Sequence, residues 1–517
     1  MLKTLTITTK AVRMMLNEAA RVESLAALSR FRTDFYDCLS ARADALFELA
    51  DAVLCSDGPV RSLVELSLVG EHRRGHGSLY AALDRGRLDV GRLRRALSTV
   101  PLPRSADGRL VLAVDVTCWL RPDAHTSPER ILCHTYGRGK DQHIMIPGWP
   151  YSFVVALETG RSSWTAPLDA LRLAPGDDLA AVTAAQLREV VERLMTAGHW
   201  RSGDPDILIV ADAGYDGPRL AWSLRDLPIQ ILARMRSDRV LRRAAPARVP
   251  GTNGRPPRHG SEFIFGDRDS WGEPDVDTET DTRLYGHATA WAWDRLHPRL
   301  TRRAAWADAA ELPMIEGTVI RLEVDHLPSG AIPKPVWLWW SQVDATAIEV
   351  DRMWQAFLRR FDIEHTFRLL KQTLGWTCPK IRDPRAADRW TWLILAVYTQ
   401  LRLARPLAAD LRRPWEEPAS PQRLSPARVR RGFRHLRAKT LSPAQAPKPS
   451  RPGPGRPPGR RNDQPAPRHD VYTATGLTTA KTSARKPTPK KSANPRPRRT
   501  GSGGPGHRSP GLPQNRA

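Results

Sequence analysis

The stretch FLRRFDIEHTFRLLKQTLGW, residues 357–376, decides how the rest of the chain is read. Its polar residues follow the pattern Phe357-x2-Arg360-x3-Glu364-x6-Lys371. On one continuous α-helix each residue turns about 100°, so Arg360, Glu364 and Lys371 fall within roughly 60° of each other. One carboxylate then stands among cations, while Val350, Met353, Trp354, Phe357, Leu358 and Phe361 form an apolar face. That arrangement suits a metal ion facing a polyanion. Spacing alone is accounted for by a solvated surface helix with weak Arg–Glu–Lys pairs. The remainder of the chain has to separate the two.

The chain has 517 residues and a formal net charge of +25 with histidine neutral. A balance this basic points to a polyanionic partner, nucleic acid first. The last 77 residues, Leu441 to Ala517, carry 16 Lys and Arg against two acids, a net of +14, which leaves +11 on residues 1–440. The expected folded part is therefore basic as well. The five cysteines form no CxxC pair and no Cys/His cluster, which argues against a structural zinc site and for reduced thiols. The N-terminus lacks a signal-peptide core, and no run approaches the ~18 apolar residues of a membrane span. The expectation is a cytoplasmic protein with no membrane partner.

Residues 1–104 read as helical, ending in a helix from Ser78 to Arg85, a turn at Gly86 and a second helix capped by Asp89. The second helix presents Arg92, Arg94 and Arg95, in the manner of either a helix-turn-helix or a plain hairpin with a basic face. After Pro101, Pro103 and Gly108 the period changes. Leu110–Val114 reads as a buried strand ending at Asp115, Ser152–Leu157 as a second, Trp164–Ala170 as a third, and Ile207–Ala211 as another ending at Asp212. A helix over 178–197, another over 218–225 and a strand over 229–235 complete a mixed α/β layer, residues 105–236. Residues 237–345 read as a β-rich insertion. Residues 346–440 hold the Glu364 helix, an apolar helix over Trp390–Leu403, and a basic helix opened by Ser425 and Pro426 that carries Arg430, Arg431 and Arg434. Residues 441–517 are rich in Pro, Gly, Ser, Arg and Lys, a composition that cannot bury enough apolar surface to fold, so a disordered basic tail is expected.

Asp115 and Asp212 both end apolar strand runs. On neighbouring strands their like charges would repel, and a hard divalent cation relieves that repulsion. With Glu364 as a third carboxylate, the set matches a two-metal site for phosphodiester chemistry. Each Asp by itself is accounted for as a strand-terminal turn residue. Asp216 lies close to Asp212, but Asp212 directly follows the strand.

On these residues the chain resembles bacterial insertion-sequence transposases of the DDE superfamily. One branch places its final Glu in a Tyr-x2-Arg-x3-Glu-x6-Lys signature, matched here by Phe357, Arg360, Glu364 and Lys371; its second-Asp motif matches ADAGYDG, residues 211–217. The resemblance covers roughly residues 20–440 and implies an α/β protein with an RNase H-like catalytic core, a β-rich insertion and a helical N-terminal DNA-binding domain. It further implies that Asp115, Asp212 and Glu364 hold Mg²⁺ or Mn²⁺, and that Arg360 and Lys371 contact DNA phosphate. Phe357 departs from the signature Tyr by lacking the hydroxyl, which places its own DNA contact in question. Arg92, Arg94, Arg95, Arg430, Arg431 and Arg434 are the further candidates for DNA contact. The implied partner is double-stranded DNA, both transposon ends and target, bound by a homodimer. A catalytically silent DNA-binding relative and a metal-dependent nuclease are the alternatives.

Overall fold

The computed structural model describes residues 2–136, 143–158, 162–247, 255–301, 306–307, 312–449 and 464–472. All of these lie within one unit, Met1–Thr479. The chain begins with helices α1 (Leu2–Asp37), α2 (Ala43–Cys55), α3 (Leu63–Ser67), α4 (His76–Arg85) and α5 (Val90–Thr99). Two short strands, β1 (Leu39–Ala41) and β2 (Arg87–Leu88), pair antiparallel among them. Asp89 caps α5 as its position predicts, accepting a 2.9 Å hydrogen bond from the Arg92 backbone N–H. Because β2 separates α4 from α5, the two helices are not joined by a simple turn at Gly86.

The period-two region forms β3 (Val111–Leu120), β4 (Ile131–Tyr136), β5 (His143–Leu157), β6 (Thr165–Arg172), β7 (Ile207–Ala211) and β8 (Ile229–Met235), with α6 (Leu179–Thr196) and α7 (Gly217–Ser223) between the later strands. The next strands are β9 (Val240–Ala244), β10 (His259–Ile264), β11 (Val276–Thr282), β12 (Gly286–Leu296), β13 (Gly317–Val324) and β14 (Val336–Trp340). One large mixed sheet runs β11-β12-β13-β14-β8-β7-β3-β5-β4, with β6 also paired to β5, while β9 and β10 pair separately. β3, β7 and β8 are mutually parallel; β5 is antiparallel to β3, and β14 to β8. The segment expected as an insertion thus continues the central sheet through β14.

Alternate residues of the central strands enter two cores, as strand geometry requires. Val111, Ala113, Leu208, Val210 and Leu232 share one core with the N-terminal helices and with α8 (Ala347–Arg359), α9 (Asp362–Gln372), α10 (Pro384–Ala404) and α11 (Pro426–Arg437). Leu112, Val114, Ile209, Ala211 and Ile231 share the other with α6, α7 and insertion residues such as Phe263 and Trp293. Helix α10 is buried along nearly its whole length and packs on α1, α2, α4 and α11. Arg32 of α1 and Asp51 of α2, each 1% exposed, pair at 2.7 Å, and Arg32 also donates to Gln400 of α10. No helix among the described residues is long and apolar enough to cross a membrane.

Three expectations need correcting. β3 does not end at Asp115 but runs on to Leu120 beside β5. The single helix through Arg360 is two helices: Arg360 and Phe361 form a turn in which backbone N–H groups donate to carbonyls three residues back. The tail is not wholly free of structure. Arg73 and Arg74 donate to the carbonyls of Ala444 and Gln445, and Tyr472 makes a parallel bridge with Ile131 at β4. The other tail residues, 450–463 and 473–517, lie outside the described residues.

Candidate active site

The register of the sheet explains how Asp115 and Asp212 meet. β3 and β7 pair in parallel up to Val114 opposite Ala211, so the next residue on each strand is an aspartate. Neighbouring strands lie about 4.8 Å apart, which brings the two carboxylates to one level of one edge. Glu364 arrives in the first turn of α9. Its side chain is 52% exposed, against 21% for Asp115 and 35% for Asp212.

Arg360 joins the three. Its Nη1 donates to Asp115 Oδ2 at 2.9 Å, its Nη2 donates to Glu364 Oε1 at 3.1 Å, and the same Nη2 lies 3.9 Å from Asp212 Oδ2. The residue is 2% exposed and its guanidinium carbon sits 4.9 Å from the Phe361 ring centroid. Arg360 was expected to reach DNA phosphate from an open helix face; here it is buried, and its charge is engaged by the three carboxylates. Arg234 of β8, which the sequence pattern did not single out, stands at the rim with Nη1 3.6 Å from Asp212 Oδ1.

Burial pushes the Asp115 carboxyl up to about 6, although Arg360 and the Val116 N–H pull it down; Asp212 and Glu364 add to the rise. Burial likewise raises the Tyr215 phenol, and the nearby Asp115 charge adds to that. Asp362, next to the site on α9, is pushed up to about 6 by burial despite its Arg359 partner. Asp216 has a structural use, accepting from the Arg219 N–H at the start of α7.

The donor set suits a divalent cation: three carboxylates supply hard oxygens, and among the described residues Asp212 Oδ1 is buried without a hydrogen-bond donor, Arg234 lying 3.6 Å away. Among the described residues, however, no group of three or more His, Cys, Asp or Glu stands close enough to hold a metal as it is. A guanidinium lies between the carboxylates that would have to converge.

The other residues expected at DNA are placed variously. Phe357 is 1% exposed and belongs to the core, so it offers no ring to DNA. Lys371 is half-buried, with Nζ 5.9 Å from the Trp376 ring centroid, and burial lowers its pKa. Arg95 is exposed. Arg92 donates to the Asp37 carbonyl and pairs with the Asp37 carboxylate at the end of α1. Arg94 pairs with Asp169, which is fully buried, at 3.0 Å. Arg430 is 6% exposed and donates to Val53 O, Gly58 O and Ser56 Oγ. Arg434 donates to Cys55 O and pairs with Glu71, and Arg431 pairs with Glu416 at 2.7 Å. Arg92, Arg430 and Arg434 therefore satisfy carbonyls left open at the C-terminal ends of α1 and α2, where a cation is favoured. Ser425 stands at the N-cap of α11 but its side chain accepts no capping bond.

Residues 34–299 match the family model described as DDE superfamily endonuclease. The chain belongs to that superfamily. The matched segment includes Asp115 and Asp212 and ends before Glu364. Nucleases of this superfamily work with divalent metal ions, and the enzyme is of the endonuclease class. Among solved structures, the chain is similar to the "Drosophila P element transposase strand transfer complex", at 19% identity over 34% of this chain and 35% of that one. The TM-score of that superposition is 0.19, too low to carry an argument about the fold. No curated protein matches the chain.

Proposed function

We propose that this endonuclease is an insertion-sequence transposase with an RNase H-like core, binding the terminal repeats of a mobile element, cleaving its ends and joining each 3′-OH to target DNA. The observation that carries the reading is the gathering of Asp115, Asp212 and Glu364, distant in sequence, around the single guanidinium of Arg360. The strand arrangement β6-β5-β3-β7-β8, with β3, β7 and β8 parallel, supports the core assignment. The superfamily match and the net charge of +25 support the reaction class and a DNA partner.

In this reading Asp115 and Asp212 would hold divalent cations from the sheet, and Glu364 from the exposed start of α9. When bound, Mg²⁺ or Mn²⁺ supplies activation of the attacking oxygen and stabilisation of the leaving one. The protein's own part is positional. The sheet fixes two ligands in register, the α8–α9 turn brings the third, and the half-exposed Glu364 leaves the edge open to a phosphodiester. Exposed Arg95 and half-buried Lys371 are the cations kept as DNA contacts, and two chains acting on paired ends would form the working assembly.

The test is cleavage of DNA carrying the inverted repeats that flank the gene, with Mg²⁺ present. Wild type is expected to nick the ends and yield joined products. Asp115→Ala, Asp212→Ala and Glu364→Ala are each expected to lose both steps while still binding DNA. Cutting undiminished in all three variants would remove the assignment. Release of ends without joining would indicate a simple nuclease, and end binding without cleavage in any divalent metal would indicate a silent relative.

A further inference from the structure

Arg360 occupies the space in which the carboxylates of this site would have to share a cation. Its two Nη atoms reach all three of them, at 2.9, 3.1 and 3.9 Å. The carboxylate set is not fully satisfied by it: among the described residues Asp212 Oδ1 is buried without a hydrogen-bond donor, and Asp212 Oδ2 is 3.9 Å from Arg360 Nη2, beyond hydrogen-bond distance. The guanidinium is held by charge rather than by a complete hydrogen-bond set. Its backbone lies in the two-residue turn between α8 and α9, not within a rigid helix. The exposed side of the site, at Glu364 and Asp212, leaves a way out for a displaced side chain.

We propose that Arg360 is a built-in counter-ion that holds the three carboxylates together in the metal-free enzyme, and that its guanidinium must withdraw before a divalent cation can enter. This rests on the reading of Asp115, Asp212 and Glu364 as metal ligands. It makes Arg360 a positioning residue with two opposed effects. It relieves the mutual repulsion of the carboxylates without metal, and it competes with metal for the same oxygens. The withdrawn guanidinium then becomes available to a DNA phosphate, so DNA that draws it out would favour metal entry, and the reverse holds by linkage.

The test is Mn²⁺ binding to the full chain without DNA, followed by calorimetry and by the paramagnetic signal of free Mn²⁺. Wild type, Arg360→Gln, Arg360→Lys and Asp212→Asn are compared. Removing a cation within a few ångströms of the metal should tighten Mn²⁺ binding by at least about tenfold in Arg360→Gln. Arg360→Lys, with one donor point and a shorter reach, should fall between. In EDTA the melting temperature of Arg360→Gln should drop, and Mn²⁺ should raise it further than it raises that of wild type. If Arg360→Gln is unfolded without metal, folding on addition of Mn²⁺ supports the proposal, and Arg360→Lys supplies the affinity comparison. Equal or weaker Mn²⁺ binding in both Arg360 variants, with Asp212→Asn still reducing binding, overturns the counter-ion proposal alone. No Mn²⁺ binding in wild type or in any Arg360 variant, or binding that Asp212→Asn leaves unchanged, overturns the metal-site reading itself.

Discussion

Asp115→Asn should make the metal-free protein more stable at neutral pH while abolishing its chemistry. The Asp115 side chain is 21% exposed, and burial pushes its carboxyl up to about 6. An ordinary aspartate titrates at about 3.9. The folded chain therefore holds this proton more tightly than the unfolded chain does. As pH rises through about 4 the unfolded state ionises first, so the stability contributed by the neutral acid is present below about pH 4, lost between about 4 and 6, and gone above. A displacement of about two units corresponds to roughly 3 kcal/mol. Asparagine stays neutral throughout and remains on the low-pH plateau, with Arg360 still paired to Glu364. With an unfolding entropy of about 2.1 cal/mol/K per residue, a folded unit of this size gains roughly 3 °C in melting temperature. The assay is thermal unfolding in EDTA from pH 4.5 to 8, wild type beside variant. The variant should lead by about 1 °C at pH 4.5 and by the full gap at pH 7.5. A variant melting at or below wild type at pH 7.5, or a gap that does not widen with pH, would refute the reasoning.

Other consequences are as direct. Arg430→Ala should lower stability by about 2–4 kcal/mol, because it strips the donor that serves Val53 O and Gly58 O in a buried setting; urea unfolding reads this out. Arg95→Ala should leave the melting curve unmoved and weaken DNA binding in fluorescence anisotropy, with a shallower salt slope. Trp376 is fully buried against Trp119, Tyr151 and Phe153 and donates to Thr391, so Trp376→Ala should cost about 3–5 kcal/mol, seen as loss of folded protein on expression. A chain ending at Thr440 should melt below the full chain, because it loses the bridge at Ile131 and the acceptors for Arg73 and Arg74.

The parts of the fold that the sequence displayed were those whose burial is uniform. Ile207–Ala211 is apolar and buried throughout, with residues facing both cores, and its bounds were readable to the residue; so were those of Ile229–Met235, although Gln230 and Arg234 interrupt its apolar run. Helix α6 announced itself through its leucine and valine spacing, and Asp178 caps it by accepting from the Ala180 and Ala181 N–H groups. Strand β11, VDTETDT, escaped notice because it carries few apolar residues and its burial alternates between half-buried and exposed. The first half of β5 contains Pro147 and Pro150, which argue against a strand by rule; an unbroken pairing with β3 and β4 accommodates them. The kink at Arg360 and Phe361 has neither Gly nor Pro to mark it. The three carboxylates were legible as candidates because two follow apolar strand runs and one sits in a spaced signature. The role of Arg360 was not. Its position beside Glu364 follows from helix geometry, but what faces that side of the helix is set by the register of β3 against β7, a tertiary fact. The same holds for Arg92, Arg430 and Arg434. A basic helix face looks alike whether it meets phosphate or the carbonyl ends of neighbouring helices.

The most direct measurement is diffraction from crystals of the full chain grown with Mn²⁺, using the anomalous signal of manganese. The account predicts a peak at the β3–β7 edge, about 2.1 Å from oxygens of Asp115 and Asp212 and within reach of Glu364, with the Arg360 guanidinium displaced. Manganese bound elsewhere, or absent at saturating concentration with Arg360 still bridging the three carboxylates, would contradict it.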